Sequence, residues 1–197
     1  MQFYTKKHNY YCGIDLHTKI IYLCILSKEG EVLLHKQTHS NPESLMKLIK
    51  PYLDDLVITV ECMFTWYWVA DFCHKHHITF VLGHALYMKA IHGGKAKNDK
   101  IDSYKIAKLI NSGMMPEAYA YPEHMRSTRD LMRRRTFFVR ECAEVKTHIK
   151  IMNHQYNLPA LSVNLKNTSS HNLVLERFDD ASAKRSVQAD TESIRYF

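Results

Sequence analysis

Three short runs rich in β-branched and aromatic residues lie near the start of the chain, over residues 10–16, 20–27 and 32–37. Runs of this length and composition are typical of β-strands. Residues 28–31, which contain Gly30, separate the second run from the third and are typical of a turn. The pattern therefore predicts a three-stranded antiparallel meander.

The next segment predicts a helix and then a buried strand. Asn41 supplies a helix cap and Pro42 an allowed first helical residue, and apolar residues follow at helical spacing as far as Leu53. Residues 56–61 form a nearly continuous apolar run, which is typical of a strand covered on both faces. This run favours a mixed sheet with flanking helices.

Alternating helical and strand patterns continue to residue 113. The predicted elements are, in chain order, a helix over 65–76, a strand over 78–82, a helix over 84–91 and a helix from Asp99 that ends at Gly113. Residues 93–97 form a basic loop before the last of these helices. The predicted order is β-β-β-α-β-α-β-α, which belongs to the α/β class.

From Pro122 the pattern changes to one long, charged helix over about residues 123–156. Its apolar residues recur at roughly heptad spacing, at Leu131, Phe138, Val145, Ile149 and Met152. Such a narrow apolar seam favours a coiled coil or a helix laid across another chain over a core helix. Pro159 is expected to end this helix, residues 160–176 are polar and weakly patterned, and Asp179 and Asp180 predict the cap of a last helix.

These patterns predict an α/β domain over residues 8–118 and a helical extension over residues 119–197. The length of 197 residues and the hydrophobic content of 46% agree with one full core plus an appendage, since a domain typically takes roughly 100–200 residues.

Charge and cysteine usage narrow the function classes. The net charge of +7 favours a polyanionic partner, because neutralising phosphates releases their counterions; charge alone does not separate nucleic acid from a membrane surface. The five cysteines are scattered and never spaced as C-x-x-C, which argues against a disulfide scaffold and a zinc ribbon and favours a reducing cytoplasm. Neither a signal peptide nor a run of ~20 apolar residues is present, so we expect a soluble protein with no membrane partner.

Four acidic residues stand where a metal site would need them. Asp15 lies within the first predicted strand and Glu61 ends the fourth, while Asp99 and Asp102 are three residues apart at the start of a helix. Two divalent ions held by rigid carboxylates can activate a water and stabilise the leaving oxygen of a phosphodiester. The pattern therefore predicts a Mg²⁺ or Mn²⁺ site.

Each acid also has a purely structural interpretation. Asn98 or Asp99 can cap the helix, and Asp102 can complement the helix dipole without a metal. Glu61 can simply end a strand, and Asp15 can lie at a solvated strand edge. These alternatives stay open for each residue, and the four together favour the metal site.

A basic stretch of the long helix is a candidate nucleic-acid contact, and its arginines are Arg126, Arg129, Arg133, Arg134 and Arg135. Phe137 and Phe138 follow, and such side chains can pack or stack beside phosphate-binding cations. Lys95 and Lys97 offer a second contact near the predicted metal site. A solvated charged helix face is the alternative for the arginines.

Several of these segments resemble a known family. They are residues 13–17 around Asp15, Glu61 after its apolar strand, residues 97–107 and the arginine-rich stretch from Arg129. They resemble the N-terminal DEDD domain of insertion-sequence transposases related to the Piv and MooV DNA invertases. The likeness covers about residues 10–156, and the acidic block at 99–102 with its following Lys-Ile-Ala is its most specific part.

The resemblance implies an RNase H-like, RuvC-type fold in which Asp15, Glu61, Asp99 and Asp102 are the catalytic magnesium ligands. It further implies a DNA recombinase guided by a structured bridge RNA, assembled as dimers and tetramers through a coiled coil. Such a protein is expected in the bacterial cytoplasm, associated with the nucleoid. Members of the family continue into a domain with a nucleophilic serine, so this chain is expected to be a truncated or degenerate copy.

Other function classes remain open at this stage. A stand-alone junction resolvase would use the same acids, whereas a DEDD exonuclease would need a glutamate at the position of His17. An actin-like sugar kinase would need a glycine there and later glycine-rich segments. A non-catalytic nucleic-acid-binding, dimerising module would need only the basic surface.

Overall fold

A computed structural model describes residues 2–92 and 98–197. The chain divides into two compact units, Met1–Glu123 and His124–Phe197, called unit 1 and unit 2 below. The predicted basic loop over residues 93–97, with Lys95 and Lys97, lies outside the described residues. Across the described ranges, no helix has both the length and the apolar character that crossing a membrane requires.

Unit 1 is a mixed α/β structure. Its strands are β1 (Phe3–Tyr4), β2 (Tyr10–Leu16), β3 (Ile20–Ser27), β4 (Val32–His39), β5 (Leu56–Glu61), β6 (Thr79–Gly83) and β7 (Met115–Pro116), and its helices are α1 (Pro42–Ile49), α2 (Tyr67–Lys75), α3 (Ala85–His92) and α4 (Asp99–Asn111). The main sheet has five strands in the order β4-β3-β2-β5-β6. Strands β2, β3 and β4 pair antiparallel, whereas β5 is parallel to both β2 and β6. This topology confirms the predicted RNase H-like fold class.

Both faces of β5 are buried, which explains its continuous apolar run. Cys12 and Ile58 belong to the core on the side of α1 and α2. Tyr11 and Val57 belong to the core on the opposite side, where α4 packs. Because side chains alternate along a strand, the odd-numbered positions of β2 and β5 face α4.

Helix α4 lies unusually close to β2 at Gly13. A β-carbon on Gly13 would lie only 2.5 Å from the carbonyl oxygen of Ser103 and would overlap the backbone nitrogen of Ala107. Both residues on the helix are small and fully buried. His35 Nε2 on β4 also donates a hydrogen bond of 2.8 Å to the carbonyl oxygen of Lys100. These contacts fix the first turns of α4 against the sheet.

The end of α1 differs from the prediction, which extended this helix to Leu53. The α-helix ends at Ile49 and continues as a 3₁₀ helix over Lys50–Asp55. Pro51 accounts for the change, since it has no backbone N–H to donate within an α-helix. The pairing of the short strands β1 and β7 was also not predicted; two-residue strands leave little pattern in a sequence.

Unit 2 consists of three helices, α5 (Glu123–Gln155, which starts at the last residue of unit 1), α6 (Ser169–Leu175) and α7 (Ala181–Tyr196). Helix α5 agrees with the predicted range, but Asn157, with a φ of 50°, follows its end ahead of the expected terminator Pro159. Helix α6 was not predicted. The predicted cap of α7 is present, because the Asp180 carboxylate accepts a hydrogen bond of 2.8 Å from the backbone N–H of Ala183.

The apolar seam of α5 divides into two parts. Ile149 is fully buried, and Val145 and Met152 pack in the same core with residues of α6 and α7. This part of the seam therefore serves the chain's own core, contrary to the interpretation that it faces another chain. Leu131, in contrast, is 68% exposed.

Replacing Gly13 by alanine should destabilise unit 1 by about 3 kcal/mol, the upper end of the usual cost of overpacking. The reason is that the added methyl group meets helix backbone, which cannot rotate away. Urea unfolding followed by tryptophan fluorescence would measure this, because both tryptophans, Trp66 and Trp68, lie in unit 1.

The matched control is Gly83→Ala. Its β-carbon would lie closest to the sulfur atoms of Met88 and Met115, at 2.5 and 2.9 Å, and both are the ends of flexible side chains. We expect a smaller loss of stability. Equal losses in the two variants would contradict the assigned importance of the contact between β2 and α4.

Candidate metal centre

The four predicted acids, Asp15, Glu61, Asp99 and Asp102, line a single cleft of about 720 Å³ in unit 1. Asp15 and Glu61 occupy odd-numbered positions of neighbouring parallel strands and therefore face α4. Ile14 pairs with Val60, one residue before each acid, so the two acids are level with each other along the sheet. Asp99 and Asp102 lie in the first turn of α4. Their roles as ligands and catalytic residues stay predictions.

The structure shows which of the two candidate residues, Asn98 or Asp99, caps α4. The side chain of Asn98 is the N-cap, and it accepts a hydrogen bond of 3.0 Å from the backbone N–H of Lys100. The Asp99 carboxylate is therefore not the cap. Both aspartates still complement the positive end of the helix dipole, which stabilises negative charge at this position.

His17 also lies at the cleft, although no role was predicted for it. Its Nε2 atom is 3.3 Å from an Asp15 carboxylate oxygen and 3.7 Å from one of Asp99. These three side chains form a group whose potential ligand atoms all lie within 4.8 Å of one another. The available sequence signal was the spacing, because residues two apart in an extended segment point to the same side.

The cleft disfavours negative charge on Asp15. Burial raises the pKa of this carboxyl above its ordinary value, and the negative charges of Asp99 and Asp102 raise that pKa further. His17 acts in the opposite direction. A bound divalent cation would offset both the burial and the repulsion, and carboxylate oxygens are the ligands that Mg²⁺ prefers. The residues present therefore fit a divalent metal ion.

Two lysines add positive charge to the lining of the cleft. Lys105 Nζ is 3.1 Å from an Asp102 carboxylate oxygen, and Lys89 lines the same cleft from α3. Lys105 belongs to the Lys-Ile-Ala segment that contributes to the family resemblance, but no role was predicted for either lysine. A site that combines crowded carboxylates with nearby ammonium groups can hold both a metal ion and a phosphate.

The predicted arginine contacts of α5 differ in accessibility. Arg126 is buried, and Arg129 lies 3.1 Å from the Asp130 carboxylate with 20% of its side chain exposed. Three consecutive arginines, Arg133, Arg134 and Arg135, are exposed. The Arg134 guanidinium lies 4.5 Å from the ring centre of Phe138, a cation–π distance. Among the described residues, Arg133 and Arg135 make no such aromatic contact.

Comparison with known protein families gives one informative match. The family model DEDD_Tnp_IS110, described as transposase, matches residues 12–157, which is more than half of the chain. The matched range includes all four acids of the cleft and the whole of α5, and it ends before α6. Comparison with curated proteins gives no match.

The Asp99→Asn variant should lower the pKa of Asp15, because it removes a neighbouring negative charge that disfavours ionisation. The fraction of ionised Asp15 at mildly acidic pH then rises. Carboxyl ¹³C chemical shifts recorded as a function of pH would measure the change. Asp54→Asn is the control, since Asp54 is exposed and does not line the cleft. An unchanged Asp15 titration in Asp99→Asn would mean that the two carboxylates do not interact.

Proposed function

This chain belongs to the IS110-type family of DEDD transposases, and on that premise we propose that unit 1 is the metal-dependent catalytic domain of a recombinase that moves an insertion element. It acts on phosphodiester bonds of DNA, and a structured guide RNA selects the site. The observation that carries the proposal is the convergence of Asp15, Glu61, Asp99 and Asp102 on one cleft.

The four acids are the proposed ligands of Mg²⁺ or Mn²⁺. When bound, such ions activate an attacking oxygen and stabilise the leaving oxygen of a phosphodiester. The chain supplies rigidity, since two of the acids lie on strands and two in the first turn of a helix fixed to the sheet. Lys89 and Lys105 would orient the phosphate group by charge attraction.

Unit 2 is proposed to bind nucleic acid and a second copy of the chain. Arg133 and Arg135 are exposed on α5 and can contact phosphates without reading sequence. The first part of α5 offers an apolar surface for an oligomer, because Leu131 of the seam is 68% exposed and Val139, outside the seam on the same helix, is 55% exposed. A homodimer or higher oligomer formed through α5 would place two such surfaces side by side.

Asp15→Asn and Asp102→Asn should each weaken divalent-ion binding by at least about tenfold. Mutating even a residue that only hydrogen-bonds to a metal ligand typically lowers metal affinity by roughly 10–100-fold. Titration with Mn²⁺ followed by electron paramagnetic resonance would measure this. In a full-length context that includes the family's serine-bearing domain, with DNA and guide RNA present, strand cleavage or exchange should fall to background in both variants.

Asp54→Asn should bind Mn²⁺ like the unchanged chain. If the unchanged chain shows no saturable uptake and its nucleic-acid binding is indifferent to divalent ions, the chain is a binding module and the catalytic proposal is wrong.

The double variant Arg133→Ala with Arg135→Ala should weaken nucleic-acid binding and reduce its dependence on salt. The slope of log affinity against log salt is negative, and each lost phosphate contact reduces its magnitude by about 0.9. We therefore expect the magnitude to fall by about 1.8. Fluorescence anisotropy with labelled duplex DNA and with structured RNA, each at several salt concentrations, would measure it. Lys184→Ala with Arg185→Ala removes the same charge from exposed positions of α7 and should leave the slope unchanged. Equal effects of the two double variants would point to net charge rather than a specific contact.

A further inference from the structure

We propose that His17 is a nitrogen ligand of the metal ion in this cleft, and that it shifts the ion preference from Mg²⁺ toward first-row transition-metal ions. The inference rests on the proposed function, because it assumes that the cleft holds a divalent ion. It adds a residue outside the four acids and a stronger preference for transition-metal ions than the carboxylates alone would produce.

The position of the imidazole supports direct ligation. His17 Nε2 lies between two proposed ligands, 3.3 Å from the carboxylate of Asp15 and 3.7 Å from that of Asp99. Two donor atoms of one metal ion, each about 2.0–2.2 Å from it, are separated by roughly 3–4 Å. His17 Nε2 therefore already lies at the spacing of a shared ligand from both carboxylates, and the potential ligand atoms of all three side chains lie within 4.8 Å of one another.

The backbone holds His17 at this place. Strand β2 ends at Leu16, directly before His17, and the backbone N–H of His17 donates a hydrogen bond of 3.2 Å to the carbonyl oxygen of Ile20. This bond closes the turn between β2 and β3, so the imidazole projects from an ordered segment. About half of its side chain is exposed, which leaves room for small adjustments on ligation.

The chemistry of the donor atom determines the expected selectivity. Mg²⁺ prefers oxygen ligands, keeps several of its waters and accepts only near-ideal octahedral geometry. Imidazole nitrogen suits the later first-row ions, whose affinity for a given site rises from Mn²⁺ through Co²⁺ to Cu²⁺. A site with four carboxylates and one imidazole should therefore favour Co²⁺ over Mg²⁺ more strongly than the carboxylates alone.

The experiment uses the whole 197-residue chain and compares it with His17→Gln, which replaces the imidazole by an amide of similar reach. Electron spin echo spectroscopy of the Mn²⁺-loaded protein detects ¹⁴N nuclei of directly bound imidazole. We expect this nitrogen signal in the unchanged chain and its loss in His17→Gln. Displacement of bound Mn²⁺ by Co²⁺ and by Mg²⁺ should show that the variant loses at least about tenfold of its preference for Co²⁺.

Two further variants separate ligation from other effects. His74→Gln removes an exposed histidine of α2 that does not line the cleft, and it should retain both the nitrogen signal and the selectivity. His17→Asn repeats the test with a shorter side chain, and tryptophan fluorescence of unit 1 checks that each variant is folded.

Saturable Mn²⁺ binding without a nitrogen signal, or a signal that persists in His17→Gln, would overturn the assignment of His17 while leaving the proposed function intact. Absence of any Mn²⁺ binding in the unchanged chain would overturn both.

Discussion

The close approach of α4 to β2 is the contact on which the candidate site depends. Gly13 has no side chain, and opposite it α4 carries the small, buried residues Ser103 and Ala107. Any larger side chain would separate the helix from the sheet, and Asp99 and Asp102 would move away from Asp15 with it. The glycine two residues before Asp15 is therefore part of the site, although its own atoms perform no chemistry.

This packing also brings carboxylates that repel one another close together. Two strands and one helix bring four carboxylates to one cleft, and like charges at such places oppose folding. Partial compensation comes from the chain itself, through His17 beside Asp15 and Lys105 beside Asp102. The two cores, one on each face of the sheet, supply the larger opposing free energy, since apolar side chains cover both faces of the central strands β2 and β5.

Much of unit 1 could be predicted because its signals are local. The composition of β2 and the apolar run of β5 predicted the strands that carry Asp15 and Glu61. The register between these strands, which the sequence alone did not predict, places both acids on the side of α4. The missed features depend on tertiary contacts. Helix α6 forms in a polar stretch through packing on α5 and α7, and the position of His17 near Asp99 needs the docking of α4, which no local pattern encodes.

The partner of the α5 seam could not be predicted from local patterns either, because a heptad-like spacing defines an apolar stripe and does not identify what packs against it.

Asp15 and Asp99 are brought together only when distant parts of unit 1 dock. Since a chain emerges from the ribosome amino end first, the strand with Asp15 exists well before the helix with Asp99. A nascent or partly unfolded chain thus lacks a complete cluster of acids, and the proposed metal site forms only once the helix has been synthesised and has docked.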